Sequence, residues 1–144
     1  MPLGVFDQRM GTELNRIQVS FLDAEAYEIA IGGHRLQVDQ PAEVGGTGTA
    51  PTPTELFVAS LASCVAFYAG RYLTRHGYSR TGLAVSAGYE MAPDRPARVG
   101  AIRVSLKAPT DLPEERWPAL AAVAGHCTVH NTLDKPPSVS LELT

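Results

Sequence analysis

Apolar and polar residues alternate along three segments in the first forty residues, a pattern typical of β-strands. These segments run from Glu13 to Phe21, from Tyr27 to Ile31 and from His34 to Asp39. The Gly32-Gly33 pair between the second and third segments has the composition of a two-residue hairpin turn. The pattern therefore predicts a small antiparallel sheet near the start of the chain.

A long apolar helix is predicted after a loop rich in proline and glycine, Gln40–Pro53. Thr52 is placed to be the N-cap, with proline at the first helical position. Glu55, three residues after the cap, completes a capping box. Apolar and small side chains surround the segment as far as Arg71, so we expect the helix to be buried, and Gly77 to end it.

A second hairpin and a second helix are predicted next. The alternating segments Leu83–Met91 and Val99–Ala108 are joined by a polar loop with two prolines, which favours a hairpin. A helix is expected to begin near Asp111, with Glu114 in the capping position, and to stop at Gly125.

The end of the chain predicts a short helical turn, Cys127–Leu133, and a last strand, Val139–Leu143. The predicted order, βββ–α–ββ–α–β with antiparallel hairpins, is typical of an α+β fold. The length suits a single domain over residues 1–144, with residues 1–12 as a loose arm.

Composition and charge exclude several classes of protein. The net charge is −3, and Lys and Arg are scattered, so we expect no nucleic-acid partner. Residues 1–12 lack the pattern of a signal peptide. The apolar run Leu56–Gly70 is interrupted by serines and is expected to be too short to span a membrane. We therefore expect a soluble, cytoplasmic protein with no membrane partner, and no segment suggests a nucleotide, flavin or haem cofactor.

Two cysteines are the candidate reactive residues. Cytosolic thiols are kept reduced, so each is either a small buried hydrophobe or a chemical group. Cys64 lies deep in the long helix, whereas Cys127 lies at a predicted helix start, which favours Cys127 as the more acidic thiol. The hydroxyls of Ser60 and Tyr68, one turn either side of Cys64, are candidates to hydrogen-bond its thiol.

Two histidines flank the second cysteine and leave two alternatives open. His126 and His130, together with Cys64 and Cys127, offer four ligands of the kind that zinc prefers. The spacing is unlike paired zinc-ligand motifs, so we expect no metal. Alternatively, His126 lowers the pKa of Cys127 as a neighbouring cation.

Three stretches resemble the OsmC/Ohr family. PTPTELFVASLASCVAFYAGRYLTRHG is similar to its signature of a proline-containing loop leading into a central helix with the first cysteine. VDQPAEVGGTGTAPTP is similar to the Asp-x-Pro…Gly-Gly approach to that helix, and HCTVHNTL resembles the second cysteine motif. The resemblance is to the OsmC-like branch and runs from about Gln18 to the C-terminus.

The resemblance implies a fold and an activity. The fold would be an intertwined homodimer with active sites at the subunit interface and the first cysteine on a buried central helix. Cys64 would attack a hydroperoxide and become a sulfenic acid. Cys127 would then form a disulfide with it, and a thiol reductant would restore both thiols. The alternative is a non-enzymatic OsmC-like protein that senses redox state or binds a small molecule.

Two departures from the Ohr branch concern residues that would polarise the cysteine. Thr54 stands where that branch has a glutamate, and Glu55 follows one residue later, a position common in the OsmC-like branch. Glu55 is therefore either catalytic or only the helix cap. The Ohr arginine has no clear counterpart: Arg16 and Arg35 are candidates by region and Arg71 by helix face, and for each a solvated or structural role is the expectation.

Overall fold

The computed structural model describes residues 16–144, so the predicted arm over residues 1–12 and the start of the first predicted strand lie outside the described residues. The chain forms two compact units, one holding residues 16–55 and Ser138–Thr144 and the other Leu56–Pro137. The main elements in chain order are β1 (Ile17–Asp23), β2 (Ala26–Ile31), β3 (His34–Val38), α1 (Pro53–Arg75), β4 (Ala84–Met91), β5 (Val99–Lys107), α2 (Trp117–Ala124) and α3 (Thr128–Asp134). The predicted α+β class is confirmed.

The first unit contains an antiparallel sheet in the order β1-β2-β3, as the alternating pattern predicts. Its register sets Val19 opposite Ile29, and Ile29 opposite Leu36. Because side chains alternate between the faces of a strand, one face of the sheet is apolar and the other polar. The apolar face is open to solvent at β1, where Val19 is 59% exposed and Phe21 63%.

The loop after β3 is organised by one buried carboxylate. Asp39 accepts the backbone N–H of Gln40 and both the N–H and the hydroxyl of Thr47 and Thr49. These bonds, with the Gln40 N–H first, hold the pKa of Asp39 well below its ordinary value of 3.8. Gly46 is required beside it, because a Cβ there would overlap the Gln40 carbonyl and lie 2.7 Å from Asp39 Oδ1.

The start and end of α1 are the ones predicted from its sequence. Thr52 Oγ1 accepts the N–H of Glu55 at 3.1 Å, and Glu55 Oε1 accepts the N–H of Thr52 at 3.0 Å. This reciprocal pair is the predicted capping box. After the helix, Gly77 takes a left-handed φ of +77°, and the N–H of Tyr78 returns to the carbonyl of Leu73 at 2.8 Å.

The expectation that α1 is buried all round is wrong for the single chain. One face packs into the core of the second unit, whereas Phe67 is 53% exposed. The core members on α1 are Leu61, Val65, Ala69, Tyr72 and Leu73, which pack with Leu112, Leu120, Ala124 and Cys127. The remaining surface of α1 also carries small and apolar residues. The sequence pattern therefore did not distinguish the core face of the helix from its exposed face.

The helix that contains the apolar run Leu56–Gly70 is longer than the run itself. The 23 residues of α1, with a mean hydropathy of 1.4 in their most apolar window, are long and apolar enough to cross a bilayer. The core helix of a soluble protein meets the same criterion. The packing of Leu73 and Ala69 in the core of the second unit identifies α1 as a core helix of this kind.

The second predicted helix begins later than expected. A single 3₁₀ turn, Glu114–Arg116, precedes α2, and no side chain caps either of them. The reason is Pro113, whose ψ of 143° keeps the backbone extended up to the 3₁₀ turn. A capping box starting at Asp111 is therefore wrong, whereas the predicted β4–β5 hairpin and the stop at Gly125 are confirmed.

The predicted last strand, Val139–Leu143, is wrong. Residues 135–144 form neither helix nor strand, and their alternating apolar side chains point into solvent, with Leu143 94% exposed. A strand needs a ladder of backbone hydrogen bonds, and within residues 16–144 this segment pairs with none of the five strands. The alternation is compatible with a strand, but residues 16–144 provide no strand that pairs with it.

Candidate redox site

The two cysteines lie on different elements of the second unit, and both are reduced. Cys64 is partly buried on α1 and packs against the core cluster that contains Cys127. Cys127 is fully buried and is the N-cap of α3, where its Sγ accepts the backbone N–H of His130 at 3.4 Å. The break at Gly125 and the short α3 thus place the second thiol against the helix that carries the first.

Burial and the neighbouring thiol keep the proton on Cys127. Burial is the largest influence and raises the pKa of Cys127 above its ordinary value of 9.0. The N–H of His130 opposes this increase, and the side chain of Cys64 adds to it. The prediction of an acidic Cys127 is therefore wrong, because the donors at the start of α3 do not compensate for loss of solvent.

His126 does not act as the cation proposed for this thiol. Its Nδ1 lies 2.7 Å from the carbonyl oxygen of Ala122, and the ring is exposed. The influences on the pKa of Cys127 come from burial, from backbone N–H groups and from Cys64. In residues 16–144 no three side chains of His, Cys, Asp or Glu lie close enough together to hold a metal ion.

Two hydroxyls connect the elements that carry the cysteines. Tyr68 Oη and Thr128 Oγ1 lie 2.7 Å apart, and Thr128 is the residue directly after Cys127. Tyr68 thus hydrogen-bonds across to α3, whereas the sequence suggested its neighbouring thiol as a partner. The other candidate, Ser60, donates to the carbonyl of Phe57 at 2.7 Å within α1. The four-residue spacing places Tyr68 on the same helix face as Cys64. The hydrogen-bond partner of Tyr68, however, depends on how α1 and α3 pack.

The candidate arginines have other partners. Arg35 pairs with Glu28 at 3.5 Å on the polar face of the sheet. The guanidinium of Arg71 lies 5.6 Å from the centroid of the Phe67 ring, a cation–π contact. Arg16 is exposed at the start of β1. Among the described residues, no arginine hydrogen-bonds to either cysteine sulfur, in agreement with the expected structural roles.

The remaining site prediction, Glu55, belongs to the first unit, where it forms the capping box with Thr52. The capping box alone accounts for a glutamate at this position, without a catalytic role. A carboxylate has two oxygens, and the cap uses Oε1, so a second role is compatible with the observed bond. The catalytic role of Glu55 remains a prediction.

An apolar cleft of about 570 Å³ lies within the second unit. Its walls come from α1, β5, α2 and α3, and they include Val65, which adjoins Cys64 in sequence. His130 and Asp134 stand at the α3 wall, with Nε2 and Oδ1 3.9 Å apart. A cleft of this volume is of the size that accommodates a small organic molecule.

The chain thus has an α+β fold with two free cysteines, one on a long helix and one at the cap of a short helix. The family profile described as OsmC-like protein matches residues 46–142. This chain belongs to the OsmC-like family, and the predicted resemblance is confirmed.

Solved structures share the fold. A Psychrobacter arcticus protein described as an osmotic stress induced and detoxification response protein is 22% identical, with a TM-score of 0.74 over 81% of this chain and 85% of that one. The Legionella pneumophila organic hydroperoxide resistance protein OsmC is also 22% identical, with a TM-score of 0.60 over 82% and 87%.

The organic hydroperoxide resistance protein OhrB of Bacillus subtilis is 18% identical, with a TM-score of 0.60 over 90% of this chain and 98% of that one. At these identities the likeness establishes the fold alone. No curated protein sequence matches this chain.

Proposed function

We propose that this protein is a thiol-dependent peroxidase that reduces organic or inorganic hydroperoxides, with Cys64 as the nucleophile and Cys127 as the resolving cysteine. The observation that carries the proposal is the placement of the two reduced thiols: Cys64 on α1 packs against the core cluster that contains Cys127, the cap of α3. Two thiols held on neighbouring elements of one core are suited to reversible disulfide formation.

The proposed cycle has three balanced steps. The Cys64 thiolate attacks the terminal oxygen of a hydroperoxide ROOH, the O–O bond breaks, and the alkoxide takes a proton to leave as ROH. The resulting sulfenic acid reacts with the Cys127 thiol to give the Cys64–Cys127 disulfide and water. A dithiol reductant then reduces the disulfide to two thiols and is itself oxidised to a disulfide.

The raised pKa of Cys127 argues against it as the residue that attacks the peroxide. Burial keeps this thiol protonated, and a thiol is a much weaker nucleophile than a thiolate. Cys64 is partly exposed and is reached by a peroxide more easily than the fully buried Cys127. This difference supports the order of attack and resolution.

The second unit offers an apolar cleft that would suit an organic substituent on the peroxide, but neither cysteine is among the residues that line it. Two solved structures with this fold are named organic hydroperoxide resistance proteins, which agrees with such a substrate. Glu55 is proposed as a third catalytic residue, in addition to capping α1.

We further propose that the protein acts as a homodimer in the cytoplasm. The open apolar face of the sheet in the first unit, with Phe21 63% exposed, supports burial against a second copy. The face is formed by strands whose opposite side is polar, which is the pattern of a sheet that packs on one side only.

The proposal is tested by oxidising the reduced protein with one equivalent of cumene hydroperoxide and mapping its peptides by mass spectrometry. We expect a Cys64–Cys127 linked peptide in the wild type. Cys64→Ser should abolish reaction with the peroxide, whereas Cys127→Ser should accumulate a sulfenic acid at Cys64. Thiols that remain reduced in the wild type would reject the peroxidase function.

A non-enzymatic role is the second candidate, and one observation favours it. No arginine within residues 16–144 hydrogen-bonds to the thiols, so this part of the chain does not place there the cation expected to promote rapid peroxide attack. A redox-sensing or small-molecule-binding protein predicts oxidation of Cys64 over minutes at stoichiometric peroxide, whereas the enzyme predicts oxidation within seconds.

A further inference from the structure

We infer that Tyr68 and Thr128 are positioning residues for disulfide closure, the step in which Cys127 reacts with oxidised Cys64. The inference rests on the proposed peroxidase function and adds two residues to it. Its starting point is one contact, the 2.7 Å hydrogen bond between Tyr68 Oη and Thr128 Oγ1, which we term the Tyr68–Thr128 bridge.

The bridge lies beside the thiol pair. Tyr68 follows Cys64 by four residues on α1, so the two side chains share a helix face. Thr128 follows Cys127 directly and is the first residue of α3. The thiols and the bridge therefore lie at adjacent points of the same two elements. Within residues 16–144 the bridge is the side-chain hydrogen bond that connects α1 with α3.

The start of α3 needs this second attachment because its first one depends on the reactive sulfur. In the reduced protein Cys127 Sγ accepts the His130 N–H at 3.4 Å and so holds the first turn of α3. In the disulfide the same sulfur must lie about 2.0 Å from that of Cys64 in a restricted dihedral geometry. The bond to His130 therefore involves the sulfur that reacts, whereas the bridge involves no sulfur.

The bridge contributes geometry and no atoms to the reaction. As the Cys127 thiol gives up its proton, its sulfur bonds to the Cys64 sulfur, the S–O bond of the sulfenic acid breaks, and the hydroxide leaves with a proton as water. By limiting the motion of α3 away from α1, the bridge keeps the two sulfurs within reach. Its loss should slow disulfide closure and leave the attack of Cys64 on peroxide unchanged.

The test measures the two steps separately after one equivalent of cumene hydroperoxide. Samples quenched at successive times are analysed by mass spectrometry for disulfide and for sulfenic acid trapped with dimedone. In Tyr68→Phe and Thr128→Val we expect sulfenic acid formation within about twofold of wild type and disulfide closure slowed roughly five- to tenfold, the scale of one lost hydrogen bond. Excess peroxide should convert more Cys64 to sulfinic acid in these variants.

Three further variants separate positioning from general damage. Thr128→Ser keeps a hydroxyl and should restore closure to the wild-type rate. Thr132→Val removes a hydroxyl from the same helix, one that donates to the carbonyl of Thr128 at 2.8 Å, and should close at the wild-type rate. The double variant Tyr68→Phe/Thr128→Val should be no slower than either single variant, because both remove the same bond.

Two results would overturn the inference: closure at the wild-type rate in Tyr68→Phe, or slowing of the peroxide step instead of closure. Tyr68→Phe alone carries the test if Thr128→Val fails to fold. If the wild-type Cys64 stays reduced in peroxide, the proposed function fails, and the bridge is then tested by closing the disulfide with diamide. The positioning role requires that the same variants slow closure with this oxidant as well.

Discussion

The backbone N–H of His130 donates to Cys127 Sγ at 3.4 Å, so a redox-active candidate also serves as a helix cap. Cap residues with a side-chain acceptor stabilise the first turn of a helix. In Cys127 this acceptor is also buried, and burial raises the pKa of the thiol more than the His130 N–H lowers it, which links the stability of the fold to the ionisation state of the thiol. The link leads to a prediction about pH.

Stability should fall at alkaline pH because of Cys127. Its pKa is raised by burial above 9.0, so the folded state favours the protonated thiol, and the associated stability is present below pH 9.0 and lost as the pH rises through the folded pKa. Urea unfolding in reductant, from about pH 7 to about pH 10, should show this loss in wild type and a smaller loss in Cys127→Ala. Identical pH profiles would contradict the assignment.

Two substitutions separate the capping role of Glu55 from its proposed catalytic role. Glutamine retains the acceptor of a capping box, so Glu55→Gln should unfold at the wild-type temperature, whereas Glu55→Ala should lose about 1 kcal/mol. If the carboxylate also assists Cys64, Glu55→Gln should reduce the rate of peroxide attack about tenfold. We expect both results, and an unchanged rate in the glutamine variant would leave Glu55 as a cap only.

Gly46 should resist even the smallest substitution. A Cβ at this position overlaps the backbone of Gln40, which is fixed by the bonds of Asp39, so Gly46→Ala should cost about 2–3 kcal/mol in the free energy of unfolding. Gly33→Ala is the matched control, because a Cβ there meets no atom within 4 Å. Its cost should stay within about 0.5–1 kcal/mol, and equal costs at the two positions would refute the close approach.

The apolar face of the first sheet should control association. Val19 on this face and its neighbour Ser20 on the polar face are both exposed in the single chain. We expect Val19→Lys to weaken the homodimer at least about tenfold by placing a charge in a buried interface, and Ser20→Lys to leave it unchanged. Sedimentation over a range of protein concentrations measures both. A wild-type protein that stays monomeric at all concentrations would reject the dimer.

The sequence predicted those elements whose signals are local. The Gly32-Gly33 turn, the Thr52–Glu55 box and the stop at Gly77 each depend on residues within a few positions, and the structure confirms all three. The predicted start of the second helix was wrong because Pro113 lies inside the segment that otherwise has a helical pattern. This proline favours an extended backbone here. Local patterns are reliable where no neighbouring residue competes with them.

Features that depend on packing were beyond the sequence pattern. Both cysteines were identified, but the proton affinity of Cys127 depends on how completely the fold covers it, which no spacing reveals. The Tyr68–Thr128 bridge joins residues sixty positions apart, so its two hydroxyls gave no joint signal. The exposed Val139–Leu143 segment shows the converse, since its alternation is a strand pattern that pairs with none of the strands in the described part of the chain.

That segment also has a consequence for aggregation. An uncovered run of alternating valine and leucine can add to the edge of another sheet or stack with copies of itself. Glu142 interrupts the run, and in an in-register stack its carboxylates would repeat about every 4.8 Å, close enough to repel strongly. Replacing Glu142 with an uncharged β-former such as threonine should therefore make the C-terminal segment more prone to nucleate fibrils.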